Sequence, residues 1–418
     1  MHSRELLNRF RTHPTAFSRQ RQLGFANLVG YLLNQIKGGH RRESFDFFEQ
    51  VLDQAQDAVS GAAISKARTA LDPNVFLELN RQVIEQTRAH LSDLEKWRGL
   101  SVFAVDGSVI NLPESDLLRD HFQHHSKASS TTAPQARLSV LHEAVTGLNH
   151  HFILLPYTLG EGVGASEHLP HTPPQSVTLY DRGYASFWLF ADHRHHQREF
   201  CARARRGFNN DVDDFFGSDA ATGVFTMTPS ADAKVVCIEQ GVDYSPLVLR
   251  LVRVLLSTGE TEVLITSLCD TTQYCDDQFH RLYAMRWSVE TGYYHSKSRL
   301  QLENFSSRRV RGIYQDVYAK LLAQNLAQVV RLTAQCERQA HSPNRKYQQR
   351  TSFADTLHRC KHRLVSMLFR SGQCAELMDS LLDVLGRCCE SHRPDRPSEA
   401  RLVRSRLARF PQNRKATA

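Results

Sequence analysis

The 418-residue chain lacks any uninterrupted apolar stretch near the roughly 18–20 residues that a bilayer-spanning helix needs. Its opening, MHSRELLNRFRTHPTAF, carries no apolar signal core. The expectation is a soluble intracellular protein with no membrane partner. Cysteine is sparse: nine residues, an odd number, scattered and without a C-x-x-C pair. That argues against a disulfide framework and a structural zinc site, and predicts reduced, buried thiols. Tryptophan occurs three times, which limits the candidates for large exposed stacking surfaces. With 41% hydrophobic residues the chain is not a disordered tail, and it is long enough for two or three cores.

Acid is missing where base collects. Arg19 to Arg42 holds five basic residues and no acid, Arg281 to Arg311 seven against two, and Glu337 to Lys415 seventeen against eight. The net charge is only +8, so the remainder is mildly acidic. Lys and Arg clustered in this way gain affinity for phosphates by releasing counterions, and three such segments point to nucleic acid.

The first hundred residues have helical periodicity: FANLVGYLLNQIKGG with a Gly-Gly stop, then ISKARTALDPNVFLELNRQVIEQTRAHL across a turn near Asp72-Pro73. From Ser101 the pattern changes to short apolar runs. VFAV reaches a turn expected at Asp106-Gly107, ARLSVLHEAV and HFILLPYTLG flank TGLN, and VTLYD ends at Asp181 before the helical DRGYASFWLFADHRHH and the strand EFCARAR. Three strands in hairpin order followed by strand, helix, strand predict a mixed sheet with helices packed on it, an α/β fold. Between Gly207 and Leu268 the runs GVFTMT, AKVVCIE, PLVLRLVRVLL and EVLITSL suggest a β-rich insertion. From Tyr274 onward the chain reads as helical, with interruptions at Ser342-Pro343 and Ser371-Gly372, and the Arg- and Pro-rich tail from His392 reads as poorly ordered.

The stretch with the most chemistry begins at Tyr283. At about 100° per residue, Tyr283, Arg286, Glu290 and Lys297 fall on one helical face as a hydroxyl, a carboxylate and two cations, able to track a phosphate backbone. Asp106 and Asp181 each close an apolar strand, where a rigid sheet can hold a carboxylate at a cleft. Two aspartates and a helical glutamate supply the hard oxygen ligands that a two-Mg²⁺ site requires. Composition alone leaves Asp116, Asp120, Glu161, Asp213 and Asp214 open as further carboxylates, and an aspartate before glycine is commonly a turn former. His121/His124/His125 have helical spacing for zinc, but these and the pairs His150/His151 and His193/His195/His196 are read as surface residues. Trp188 and Trp287 are read as packing residues, and Cys388-Cys389 as helix residues.

Tyr283, Arg286, Glu290 and Lys297 match the signature Y-x2-R-x3-E-x6-K, which resembles that of the DDE transposases of the insertion-sequence-four family. FAVDGS around Asp106 resembles that family's first-aspartate strand, YDRGY from Tyr180 to Tyr184 its second-aspartate motif D-x-G-[YF], and YAKLLAQNL from Tyr318 the helix after the signature. The likeness runs from about Phe25 to Ala327. It implies a ribonuclease-H-like mixed-sheet catalytic core interrupted by a β-rich insertion, with helical N- and C-terminal regions. The implied divisions are a helical DNA-binding domain 1–98, a first core part 99–206, an insertion 207–270, a second core part with the signature helix 271–335, and a basic helical C-terminal region with tail 336–418.

By the same resemblance Asp106, Asp181 and Glu290 would hold two Mg²⁺ ions, with Mn²⁺ as a substitute, for in-line attack on a phosphodiester. Tyr283, Arg286 and Lys297 would grip DNA phosphates. Arg206, with Arg203 and Arg205, would meet DNA beside the active site, and Arg19 to Arg42 would dock the terminal repeat. The implied function is cut-and-paste DNA transposition: binding of the element's own terminal inverted repeats, hydrolysis and strand transfer. The implied partners are double-stranded DNA of element ends and target, and a second copy in a synaptic homodimer in a bacterial cytoplasm. A catalytically idle DNA-binding descendant and a structure-selective nuclease on the same core are the alternatives. Relatives that pass through a DNA hairpin stack a flipped base on an aromatic of the insertion, commonly Trp. Here that region has no Trp, only Phe208, Phe215, Phe216, Phe225 and Tyr244, each read as a core residue.

Overall fold

The β-branched and aromatic runs from Ser101 to Thr266 form an eight-stranded sheet: β1 Ser101–Asn111, β2 Gln135–Glu143, β3 Asn149–Pro156, β4 Ser176–Tyr180, β5 Glu199–Arg203, β6 Thr222–Met227, β7 Leu247–Leu255 and β8 Thr261–Thr266. Their order is β3-β2-β1-β4-β5-β8-β7-β6. The computed structural model describes residues 1–19, 21–34, 38–90, 96–123, 133–255, 260–341 and 349–391. His124, His125, Ser342-Pro343 and the tail from His392 lie outside the described residues.

The hydrogen bonding explains the mixture. β1, β4 and β5 run parallel, so the chain must cross back between them, which it does through the helices Glu161–His168 before β4 and Phe187–His196 before β5. β2 and β3 are joined at Gly147, whose φ of 72° suits the tight turn. From β5 onward the sheet continues antiparallel through β8, β7 and β6. This mixed sheet is the ribonuclease-H-like core expected from the sequence, with helical segments at both ends of the chain. Its interior joins Phe103, Tyr180, Phe190 and Phe200 to Leu249 and Ile265 in one apolar cluster, with the Phe190 and Phe200 rings stacked 4.1 Å apart.

The chain divides into two units. Arg88–Val109 with Arg137–Tyr293 carries the sheet, and Met1–Thr87, Ile110–Ala136 and Tyr294–Ala418 form a helical unit. In the helical unit the helices Phe25–Asn34, Gly61–Arg68 and Asn74–His90 fall on the periodic segments, the last starting where Asp72 Oδ1 accepts from Asn74 N at 2.9 Å. The 32-residue helix Val310–His341 packs Ala327, Val330 and Ala334 against Phe353, Leu357 and Leu381. No helix among the described residues is long and apolar enough to cross a membrane.

Several expectations are corrected. AKVVCIE is not a strand but the core of the helix Ala231–Glu239: the Ser230 side chain caps it by accepting from Ala233 N at 3.2 Å, while Val235 and Ile238 stay exposed. An apolar run that buries only Cys237 has nothing to gain from a sheet, so the local cap decides. Asp106-Gly107 is not a turn, because β1 passes through it unbroken. Cys201, Cys237 and Cys360 are buried thiols, but Cys275 and Cys336 are exposed. Cys388 and Cys389 follow the helix Cys374–Arg387, and Cys389 begins the short strand Cys389–Ser391.

Candidate active site

The site is built on adjacent parallel strands. β1 and β4 pair Ser101 with Ser176 through Ala104 with Leu179. The same 75-residue offset relates Asp106, on β1 beyond the Ala104–Leu179 pair, to Asp181, which directly follows β4. The two carboxylates have the same local geometry: Asp106 Oδ1 accepts from the Gly107 N–H at 2.9 Å, and Asp181 Oδ1 from the Arg182 N–H at 2.8 Å. Parallel pairing between the apolar runs VFAV and VTLY therefore links two residues 75 positions apart.

The third carboxylate comes from the signature segment, which is not one regular helix. The helix Phe279–Ala284 gives way at Met285-Arg286 to three-residue bonds, including Arg286 N to Tyr283 O at 3.0 Å, before the helix Trp287–Tyr294 begins. A π-helical turn His295–Arg299 follows. The constant phase expected along Tyr283 to Lys297 is thus broken twice, and Lys297 falls in the π turn. Tyr293 fixes the second helix, its buried hydroxyl within 2.7 Å of the Asp106 carbonyl and 3.0 Å of the Leu138 carbonyl. Gly292 permits the close approach, since a Cβ there would meet the His142 ring at 3.2 Å.

Arg286 is the cation that all three carboxylates share. It is 6% exposed, pairs with Glu290 Oε1 at 3.2 Å, and acts electrostatically on both Asp106 and Asp181. Burial pulls its pKa down, but Tyr283, Asp181 and Glu290 outweigh that and hold it above its ordinary value. Asp106 is pushed up to about 6: burial is the main cause, Glu161 and Glu290 add to it, and the Gly107 N–H and Arg286 oppose it. Tyr283 is buried, and its hydroxyl donates to the carbonyl of Tyr180 at 3.3 Å, tying the signature segment to the strand end that precedes Asp181.

Trp287 is not the packing residue expected. It is 58% exposed, with the Arg286 guanidinium 4.7 Å above its ring, because the break at Met285-Arg286 turns it outward. Trp188 does pack, filling the space where a Cβ on Gly162 would come within 2.7 Å of its ring. Arg206 is exposed and sits 4.7 Å over the Phe216 ring, while Arg203 pairs with Glu262 at 3.0 Å. Phe215 and Phe225 are core residues as expected, and Tyr244 is 43% exposed. The surface reading fails for His193, which is fully buried, and for His151, packed against His168 and His171; burial holds His193 and His151 at about 3.

Sequence reasoning left Glu161 among many open carboxylates and gave Tyr184 no role, yet both lie beside Asp106. A Cβ on Gly107 would meet Glu161 Cγ at 3.2 Å and the Tyr184 hydroxyl at 3.4 Å. The signal was Gly107 directly after Asp106, which marks a close approach and not a turn.

Against known proteins, residues 97–326 match the model of the transposase DDE domain, more than half of the chain. The chain belongs to the DDE transposase family. It is 27% identical over 139 residues to InsZ of Escherichia coli (strain K12), named as a transposase, covering 32% of this chain and 46% of that one. It is 24% identical over 239 residues to the transposase InsG for insertion sequence element IS4 of the same organism, covering 55% and 52%. The chain thus spans about half the length of each of these relatives. A piggyBac transposase synaptic complex with hairpin DNA aligns over 90% of this chain and 77% of that chain, at 10% identity and a TM-score of 0.41.

Among the described residues no three His, Cys, Asp or Glu side chains stand close enough to hold a metal ion as they are. The donor chemistry of this DDE protein nonetheless fits a hard divalent cation. Asp106, on β1, and Asp181, just after β4, carry the hard oxygen donors that such a cation takes, and both feel the buried Arg286.

Proposed function

We propose that the chain is an insertion-sequence-four-type transposase that binds the terminal inverted repeats of its own element, hydrolyses the phosphodiester at each end and transfers the strands to a target. The observation that supports this is the parallel pairing of β1 with β4, whose offset leads to Asp106 and Asp181, together with Arg286, which pairs with Glu290 and acts on both aspartates. Asp106, Asp181 and Glu290 would hold two Mg²⁺ ions, or Mn²⁺ in their place, whose chemistry is activation of the attacking oxygen and stabilisation of the leaving one. Tyr283 holds the signature segment at the end of β4, and Tyr293 holds it to β1 and β2. Arg286 neutralises the carboxylates until phosphate arrives and then, with Lys297 and Arg206, contacts the DNA backbone. Cutting two ends together calls for a homodimer acting in a bacterial cytoplasm.

The test is Mg²⁺-dependent cleavage of a plasmid carrying the gene's own flanking DNA, comparing wild type with Asp106→Asn and Glu290→Gln. Cuts at matched flanking repeats, reduced about 1,000-fold or more in both variants, support the reading. Full cleavage by either variant removes that residue from the site. Specific binding of the flanks without cutting by any of the three proteins points to an idle DNA-binding descendant, and cutting of branched DNA without repeats or strand joining to a nuclease.

A further inference from the structure

A fourth carboxylate and a buried hydroxyl stand beside Asp106. Glu161 opens the helix Glu161–His168, which crosses from β3 to β4, and Gly107 admits it. A Cβ on Gly107 would meet its Cγ at 3.2 Å and Oε1 at 3.3 Å, and a Cβ on Gly183 would meet Oε2 at 3.4 Å. Neither glycine has a positive φ, so neither is required by backbone conformation. Gly107 provides room for Glu161 beside Asp106, whereas a Cβ on Gly183 would make only ordinary contact with it. Glu161 Oε1 is held by Arg137 Nη1 at 2.7 Å, and Arg137 is itself fixed by donating from Nε to the Leu159 carbonyl at 3.0 Å.

The second observation is independent of the acidic cluster. Tyr184, in the turn after Asp181, is 2% exposed, and its hydroxyl has no hydrogen-bond partner. The ring is anchored among apolar residues and leans on Tyr180 at 5.3 Å, while the hydroxyl points to Gly107, in the electrostatic field of Asp106 and Glu161. A buried hydroxyl without a partner is costly, and phenylalanine would fill the same space without that cost. The hydroxyl therefore points to something it is there to bind.

We propose that Glu161 and Tyr184 complete the cation-binding face of Asp106 and Asp181, with Glu161 as a fourth carboxylate for the divalent ion and Tyr184 as hydrogen-bond donor to water that the ion carries. This rests on the proposed metal-dependent function and extends it to two residues outside the aspartate–aspartate–glutamate set. Gly107 is then the spacer that lets the start of a crossover helix reach Asp106 on β1.

The experiment is Mn²⁺ binding to the full chain without DNA, read from the electron paramagnetic resonance signal of free Mn²⁺, with thermal unfolding of each metal-free variant alongside. Glu161→Gln and Tyr184→Phe are each expected to weaken Mn²⁺ binding about 10-fold or more. Tyr184→Phe should melt at or above the wild-type temperature without metal, which separates a lost ligand contact from a damaged fold. Arg137→Met, which removes the partner of Glu161 but not its carboxylate, should bind Mn²⁺ as tightly as wild type or more tightly. Wild-type affinity in Glu161→Gln and Tyr184→Phe, with binding lost in Asp106→Asn, overturns this inference and leaves the proposed function standing. No Mn²⁺ binding by wild type, or equal binding by Asp106→Asn, overturns both. Loss in Arg137→Met equal to that in Glu161→Gln makes Glu161 a structural partner of Arg137 and overturns its part.

Discussion

The helical unit buries Arg68, the sheet unit buries Arg250 and Arg286, and of these Arg68 and Arg286 are treated differently. In the helical unit Arg68 has a partner for every guanidinium nitrogen: Nε donates to Gln315 at 2.8 Å, Nη1 to Ser306 at 2.6 Å, and Nη2 to the Gly312 carbonyl at 2.7 Å and Asp316 at 2.9 Å. In the sheet unit Arg286 is about as buried, yet it makes one 3.2 Å ion pair, and its Nε has no partner. A satisfied buried pair locks helices together. An incompletely satisfied one, set among carboxylates of which one is pushed up to about 6, leaves hydrogen-bonding capacity unused, as the proposed function would require of its site.

The comparison can be broken, or sharpened, by five measurements. Arg68→Met leaves Asp316 buried without its cation and is expected to cost about 3–5 kcal/mol in urea unfolding. A loss below about 1 kcal/mol would mean that the network is not a lock.

Acid should weaken the sheet unit next. His142, His151 and His193 are held by burial at about 4, 3 and 3, so each is neutral when folded while the unfolded chain takes up a proton near pH 6.5. For His193 the hydrogen bonds accommodate it: Nδ1 donates to the Arg198 carbonyl at 3.1 Å, which leaves Nε2 to accept from the Tyr180 hydroxyl at 2.8 Å. The unfolded state binds more protons below about pH 6.5, so stability falls with pH, by about 1 kcal/mol per histidine between pH 6.5 and 5.5. Unfolding midpoints that stay level across that interval would contradict the neutral, buried assignment.

Gly30→Ala tests how tightly the helical unit is packed, because a Cβ there would lie 2.5 Å from the Phe369 ring. About 2 kcal/mol should be lost, and an unchanged melting temperature would show that Phe369 moves aside freely. Arg286→Met is expected to cost only about 1–2 kcal/mol, since its hydrogen bonding is already incomplete. A cost equal to that of Arg68→Met would erase the distinction between lock and site. Smallest is Ser230→Ala, which removes the cap of the helix Ala231–Glu239 and should cost about 1 kcal/mol; no change would leave that helix without its stated cause.

Much of the fold was legible because apolar runs separated by turn residues can be buried in few ways. The strand order of Ser101 to Arg203 and the N-terminal helices followed from periodicity. AKVVCIE was misread because four apolar residues in a row satisfy either period, and only a cap bond and the absence of a burying neighbour choose between them. Trp287 was misread because an even helical phase was assumed through Met285-Arg286, where three-residue bonds tighten the chain. His193 was misread because a histidine among charged neighbours looks solvated, while its hydroxyl and carbonyl partners lie at Tyr180 and Arg198.

The sequence by itself marked the candidates proposed for the chemistry: Asp106, Asp181 and the Tyr283, Arg286, Glu290 and Lys297 signature, each set off by its local run. Tertiary structure alone decided what those residues meet. The 75-residue register of β1 on β4, the sharing of one arginine by three carboxylates, and the approach of Glu161 and the Tyr184 hydroxyl to Gly107 arise between distant segments. Periodicity reports which face of an element is buried; it carries no record of the partner that buries it.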